Sequence, residues 1–443
     1  MSRLAFILLV GATCSACTSD PPVVTIDVTT GHETDAFSQD PAVTEVTVKG
    51  LTVDGATLMS ATAQPGGSFS LGEVAEDELL RFEVTGTDAT STLQVRGRSL
   101  GLVIGELAAD VLPVFAQRLG QWARPPSQLD HSHVGGLGAV LGERLLMVTG
   151  GSATDGAEDG SVAFYDLLAL GGATGGVLSF VPKSIVVSAD GDAALFIDEH
   201  EAHWIDFAAA ESAIVEPPDG LSSFDQIAGG KTVVGPEASY VVGATRSSAP
   251  SDRILVVAAD RSLSSATLTA PRQHAAAAWV PDVGLAIAGG SDTAAGVEVL
   301  AAGGSTATLR PFEPDAVIGA GAVKGIVGGE LLLLCGVDGD QPSLECIADC
   351  TPTTLDIDLG ATVTHCDAYA ADDGAVLVVG QDVDDGQIRT WSVAVTAAAA
   401  TELPLREPRL GAVSVPAPNG TLALLGGEHL DGTPALTVEM LFP

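Results

Sequence analysis

Lysine is scarce in this chain, with four in 443 residues. All basic residues together number 19 against 57 acidic ones, which leaves a net charge of −38. Nucleic acids and anionic lipid headgroups attract Lys- and Arg-rich surfaces, so a surface of this sign argues against both as partners. Aromatic residues make up only 4%, and Lys-rich or Glu/Lys-paired stretches of helical type are almost absent. No Gly-x-Ser-x-Gly elbow or phosphate loop occurs in a suitable context, which removes the usual signatures of serine hydrolases and nucleotide enzymes. What fills the chain instead is glycine, 52 residues of it, between short Val/Leu/Ala runs broken by Gly, Asp and Pro. That texture belongs to an all-β protein.

The N-terminus has its own composition. MSRLAFILLVGATCSACTSDPP carries a basic Arg3, an apolar run from Leu4 to Val10, small residues and then cysteine. The run is too short for a mature membrane helix and has the layout of a secretory signal peptide. Ser15 and Ala16 ahead of Cys17 resemble the lipobox of bacterial lipoproteins, with Cys14 as the rival site. The resemblance implies cleavage after residue 16, a diacylglycerol on Cys17, and a tether over 17–22. Several acyl chains would hold the protein on a membrane surface. Thr18 after the cysteine resembles outer-membrane sorting, so the expected location is the bacterial cell envelope, exported and lipid-anchored.

One phrase recurs further on. LMVTGG at 146–151, LAIAGG at 285–290 and LALLGG at 422–427 each end an apolar run in two glycines. Weaker copies precede Asp198, Gly243, Cys335 and Gly380. The aligned positions 150, 198, 243, 289, 335, 380 and 426 are spaced by 45 to 48 residues, a recognised repeat length for propellers. Each copy has a small-residue strand, a tight turn, the apolar strand, a polar loop, a third strand such as GVEVL or LTVEMLF, and an outer strand such as LSFVP or ELPL. Turns such as Asp190-Gly191 and Asn419-Gly420 suit two-residue hairpins. Four antiparallel strands per repeat make a propeller blade.

This unit, with Pro271-Arg272 and His274 ahead of it, resembles the kelch repeat over about residues 130–443. The resemblance implies a seven-bladed kelch-like β-propeller, over 113–443. The last repeat stops at Pro443 without an outer strand, so the segment 114–126 is expected to complete it and close the ring. Residues 23–112 hold about seven alternating strands and are expected to form a small β-sandwich. The stretch GGSFSLGEVAEDELLRFEVTGTDATS is similar to Ig-like and carboxypeptidase-regulatory-like domains, which implies a spacer or adhesion module.

Candidate chemistry is sparse. An exported compartment favours disulfides, and the expected pairs are Cys335–Cys366 and Cys346–Cys350. No catalytic residue and no metal site is assigned. His133, His274 and His365 at the starts of first strands are a weaker metal alternative, set against histidines bonded to backbone. His200-Glu201-Ala202-His203 falls one residue short of HExxH. The loops after the aligned positions are acidic and fall on one face of the disc. Asp155, Asp159, Asp338, Asp340, Asp382, Asp384 and Asp385 offer clustered oxygens of the type calcium uses. This face is the candidate for Ca²⁺ or a basic partner, with solvated hairpin tips as the plain alternative; no other cofactor is expected. The function expected is therefore non-catalytic binding of a protein or glycan, with the N-terminal lipid as the membrane contact. Two readings stand beside it: a galactose-oxidase-like enzyme or hydrolase using the central channel, and a purely structural envelope protein.

Overall fold

The computed structural model describes residues 23–442 apart from 68, 74–76, 107–110, 245–249, 274, 291–295, 311–321, 326–330, 336–342, 347–354, 372–373, 395–396 and 398. Among the described residues the architecture is all β, with two 3₁₀ turns at Ile104–Glu106 and Phe224–Gln226.

The N-terminal part comprises β1 (Val23–Thr29), β2 (Glu45–Leu51), β3 (Thr57–Ala63), β4 (Phe69–Glu73), β5 (Leu79–Thr87), β6 (Leu93–Val103) and β7 (Val111–Arg118). They form one sheet in the order β3-β2-β5-β6-β7-β1-β4. Its two end strands, β3 and β4, touch, so the sheet is curled. Side chains alternate across it, as a strand's period of two requires. In β5, Leu80, Phe82 and Val84 are buried while Leu79 and Arg81 face out.

β7 is the joint. Val111–Phe115 run parallel to β1, and Ala116–Arg118 then pair antiparallel with β6. Leu112, Val114 and Ala116 enter the N-terminal core, whereas Phe115 enters a core shared with the following sheets. β7 therefore runs through the boundary expected between 112 and 113. The sequence shows why: both faces of VLPVFAQR carry residues fit for burial, and a strand between two cores needs that.

Sheet one holds β8 (Leu137–Leu141), β9 (Leu145–Thr149), β10 (Ser161–Asp166) and β11 (Gly171–Val177). Sheet two holds β12 (Ser184–Val187), β13 (Ala193–Ile197), β14 (Ala202–Asp206) and β15 (Glu211–Val215). Sheet three holds β16 (Lys231–Val234), β17 (Ala238–Val242), β18 (Ser251–Ala258) and β19 (Leu263–Arg272). Sheet four holds β20 (Ala276–Val280), β21 (Gly284–Ala288), β22 (Val297–Leu300) and β23 (Thr308–Arg310). Sheet five holds β24 (Ala322–Gly325), β25 (Leu331–Cys335), β26 (Ser343–Cys346) and β27 (Leu355–Asp356). Sheet six holds β28 (Val363–Ala370), β29 (Val376–Asp382), β30 (Ile388–Ala394) and β31 (Ala399–Glu402). A short pair follows, β32 (Arg409–Leu410) with β35 (Glu428–His429), and then a three-stranded sheet of β33 (Val413–Pro416), β34 (Leu422–Leu425) and β36 (Glu439–Leu441).

Sheets one to six are four-stranded antiparallel meanders. From β8 to β28 each first strand lies against the next sheet's first strand, and β33 returns to β8. The remaining gap is bridged by Tyr369 of β28, whose hydroxyl lies 2.9 Å from Ser414 Oγ of β33. The first strands thus ring a common centre, and the arrangement is that of a β-propeller. Second strands are sandwiched between sheets, so they are apolar on both faces: β13 and β21 are buried along their whole length. The first strand of sheet four can be AAAWV because small side chains let strands crowd near the centre.

The outer strand expected over LSFVP occupies Gly171–Val177 instead, and that expected over ELPL occupies Ala399–Glu402. The closing segment expected at 114–126 is divided. Its first residues belong to β7, while the chain from 120 to 129 lies along β36. Ala123 and Met440 exchange both backbone bonds, at 2.9 and 2.8 Å, and Leu129 N–H donates to the Leu436 carbonyl at 2.9 Å. Trp122, fully buried, donates from Nε1 to Thr390 Oγ1 of sheet six at 2.8 Å. The three-stranded sheet thus gains an outer partner from the chain just before sheet one.

Candidate functional site

Except for Gly380, which lies inside β29, the aligned positions fall at or just after the ends of second strands. Gly150 and Gly151 take φ of 68° and 69°, Gly289 and Gly290 the same values, and Gly426 and Gly427 take 66° and 88°. This left-handed region is open to glycine and costly for other residues. Space adds to the demand. A Cβ on Gly151 would lie 2.4 Å from the Val134 carbonyl oxygen, and one on Gly290 would lie 2.2 Å from that of Gln273.

A side chain seventeen residues earlier reaches each first glycine. Arg272 Nη1 donates to the Gly289 carbonyl at 2.6 Å, and Arg409 Nη1 to that of Gly426 at 3.4 Å. In sheet one the position belongs to His133, whose Nδ1 lies 3.0 Å from the Gly150 carbonyl. Both arginines are fully buried and paired with buried glutamates of third strands. Arg272 Nε lies 2.9 Å from Glu298, and Arg409 Nη2 lies 2.8 Å from Glu439. The two glutamates hold one register place, opposite the residue two before the first glycine: Glu298 faces Ile287 and Glu439 faces Leu424. The place in sheet one is taken by Ala163, opposite Val148.

Each glutamate also binds backbone of the preceding sheet's outer strand or of the chain leaving it. Thr269 N–H donates to Glu298 at 2.5 Å. Arg406 and Glu407 N–H donate to Glu439 at 2.8 and 3.0 Å. The charged clamp therefore stitches one sheet to the next and holds the double-glycine turn. Burial pushes the Glu439 carboxyl above its ordinary pKa, against the opposing pull of Arg409 and the two N–H groups. Sequence reading singled out Arg272 but missed both glutamates and Arg409. The available signal was the shared spacing of seventeen to the first glycine.

His133 is fully buried. Its Nε2 lies 3.4 Å from Ser161 Oγ, and its Nδ1 lies 3.8 Å from Asp159. Burial lowers its pKa, opposed by Asp159 and the Gly150 carbonyl. Its own carbonyl accepts from Gly427 N–H at 2.9 Å, so it joins sheet one to the last sheet. Of the other histidines proposed with it, His274 lies outside the described residues and His365 is described only as part of β28. His203 Nε2 lies 2.8 Å from Glu201, so that motif closes on itself.

The acidic loops are folded on their own terms. Asp155 accepts from Ala157 N–H at 3.0 Å, and Asp159 from Ser161 N–H at 2.8 Å. Burial alone would raise the Asp159 carboxyl, but its bonds to Ser161 and the nearby His133 bring it below the ordinary value. Asp382 lies 2.7 Å from Arg389 Nε and Asp385 lies 3.1 Å from its Nη2. Asp384 N–H donates to Asp382. The DVDDG stretch is thus organised around an arginine rather than around an empty oxygen cage. Asp338 and Asp340 lie outside the described residues. Among the described residues no group of three or more His, Cys, Asp or Glu is placed to hold a metal.

At the centre of the ring, Lys231 of β16 pairs with Asp367 of β28, crossing between sheets three and six. The three tyrosines are spread over sheets one, three and six. Tyr165 donates to the Pro126 carbonyl at 2.7 Å, Tyr240 stacks on Trp279, and Tyr369 contacts Ser414 with its pKa pushed up to about 12 by burial. Of the cysteines, Cys14, Cys17 and Cys350 lie outside the described residues. Cys335 ends β25, Cys346 ends β26, and Cys366 is buried in β28.

No protein-family model matches the chain, and no curated protein matches it. Among solved structures it is similar to a chain in a crystal structure of the mitotic checkpoint complex, with a TM-score of 0.50 at 13% identity, covering 73% of this chain and 91% of that one. It also matches a chain of Kuenenia stuttgartiensis hydrazine synthase, with a TM-score of 0.39 at 15% identity over 55% and 73%. The first likeness supports a β-propeller fold.

Proposed function

We propose that the chain is a lipid-anchored envelope lipoprotein whose seven-bladed, kelch-like propeller binds a protein or glycan without catalysis. One observation carries the binding reading. In each meander the first-to-second and third-to-fourth turns share one side of the disc. The N-terminal sheet packs on that side, where Leu100 and Leu102 meet Val140, Leu168 and Ala417. The acidic second-to-third loops, with Asp155, Asp159, Asp384 and Asp385, lie on the opposite side, away from the N-terminal sheet. A face rich in carboxylates, only some of them paired with Arg389 or Lys183, suits a basic partner, or a glycan held through Ca²⁺.

Support for this reading comes from particular places. The double glycines at left-handed φ and their arginines fit the kelch pattern. The chain at 120–129 supplies the seventh blade with its fourth strand. The curled N-terminal domain, with β7 shared by two halves, fits a sandwich-like spacer. Strand β25 lies against β28, which supports pairing Cys335 with Cys366; Cys346–Cys350 is proposed on proximity in sequence. Lipid on Cys17 and an outer-membrane location rest on the N-terminal sequence.

The test is salt-dependent binding of a lysine-rich peptide, with and without Ca²⁺, by the full chain and by an Asp155→Asn/Asp384→Asn/Asp385→Asn variant. The reading requires saturable binding that the variant loses. Equal binding by both proteins would remove it.

A further inference from the structure

On the side of the disc where the N-terminal sheet meets sheet one and the last, three-stranded sheet lies a cleft of about 720 Å³. Clefts at domain junctions with volumes of about 300–1,000 Å³ are the usual form of small-molecule sites. One wall comes from β5 and β6, with Leu79, Arg81 and Leu102; the other comes from hairpin turns, with Val140, Arg144 and Pro418. The lining therefore mixes aliphatic side chains with a comparable share of polar surface, which includes two guanidinium groups and the carboxylate of Glu143.

The charge here runs against that of the molecule. Arg81 is exposed and has no hydrogen-bond or ion-pair partner among the described residues, in a chain with three acidic groups for each basic one. Arg144 is held by Asp166 through Nε at 2.8 Å and Nη2 at 2.5 Å. Beside the cleft, Arg96 and Arg98 both lie on Glu83, at 3.0 and 3.4 Å. A guanidinium left without a carboxylate on an otherwise acidic surface, beside aliphatic walls, is complementary to an acid with an apolar tail.

We propose that this junction cleft binds a single-chain amphiphile with an anionic head, of the medium-chain carboxylate type, with Arg81 as the head-group contact. The site is on the opposite side of the disc from the acidic loops and stands independently of the function proposed for them. An apolar tail would lie along the Leu79, Leu102 and Val140 side chains, and its burial would add to the affinity. Arg81 would supply the preference for an anion.

The test is calorimetric titration of the full chain with dodecanoate below its micelle concentration. Dodecyl maltoside serves as the uncharged arm, and phosphatidylglycerol vesicles as the bilayer arm. The expected result is one dodecanoate per chain, with dodecyl maltoside at least tenfold weaker and no vesicle binding. Arg81→Gln should weaken dodecanoate at least tenfold without changing the melting temperature, because the side chain has no partner to lose. Gly101→Glu gives a second check. A Cβ there would meet only Leu79 Cδ1 at 3.7 Å, so the carboxylate enters the cleft without backbone strain. It too should abolish dodecanoate binding. No saturable binding, equal binding of the uncharged amphiphile, binding only to vesicles, or unchanged affinity in both variants would each overturn the proposal.

Discussion

Sheet four and the last, three-stranded sheet solve a problem with a fixed charge that sheet one solves with a neutral ring. In all three, a side chain seventeen residues upstream caps the carbonyl of the first glycine. Arg272 and Arg409 do so as cations balanced by Glu298 and Glu439, with backbone N–H groups from the preceding sheet completing each carboxylate. His133 has Ala163 where the glutamate would be, and its imidazole lies near Ser161 and Asp159 instead. The difference teaches what the charge is for. An arginine–glutamate pair reaches two ways, to the glycine turn and to the neighbouring sheet. A histidine caps the turn alone, and the link between sheets passes to its backbone.

The sharpest way to break the comparison is Arg272→Ala. It leaves Glu298 buried without its cation, which costs about 3–5 kcal/mol; urea denaturation should register that loss. Arg272→Met with Glu298→Leu should cost far less, since no charge is stranded. A single substitution that melts like the parent would show the clamp to be incidental.

The glycines come next. Gly290→Ala and Gly151→Ala force a left-handed alanine onto a carbonyl oxygen and should each cost about 1–3 kcal/mol, whichever clamp stands behind them. Gly303→Ala also takes a positive φ, 66°, but meets nothing within 4 Å. It should cost less, and thermal melts of the three variants rank them.

A smaller effect separates histidine from arginine by pH. The folded state holds the His133 pKa below its ordinary value. On acidification the unfolded chain takes up a proton near its ordinary pKa of about 6.5, while the folded chain does not. Stability is therefore full above that pH, falls as pH drops below it, and levels once the folded imidazole protonates. His133→Gln should remove this component from the pH profile of the melting temperature. An unchanged profile would mean that His133 does not titrate as its burial requires.

The smallest effect is on the acidic face. Asp155→Asn should leave thermal melting unchanged, and Asp385→Asn should lower it only slightly through its exposed pair with Arg389, while both weaken salt-sensitive partner binding. A clear loss of stability would assign those residues to the fold instead.

The repeat was legible because it is written in backbone chemistry. Two adjacent glycines at left-handed φ leave a mark that degenerate side chains do not erase, so the ends of β9, β21 and β34 could be placed from sequence. The clamps were harder to see. Glu298 follows its arginine by 26 residues and Glu439 by 30, because the loop between second and third strands varies in length. Register across the sheet aligns them, and spacing along the chain does not. β7 was misplaced for a related reason. Its two faces serve two cores, and a strand apolar on both sides reads equally well as part of either domain. Acidic loop residues were visible, but the partnership of Asp382 and Asp385 with Arg389 depends on a hairpin fold that charge counting cannot supply. The junction cleft left no motif, since its walls come from two domains.

The most direct test of the clamp as a unit is a double-mutant cycle on Arg409 and Glu439 by equilibrium denaturation. If the pair stitches the last sheet to the chain before it, each alanine substitution costs about 3–5 kcal/mol and the double variant falls short of their sum by about 2 kcal/mol or more. Costs that add within about 0.5 kcal/mol would mean that the two residues act separately, and the account of how these sheets are joined would fail.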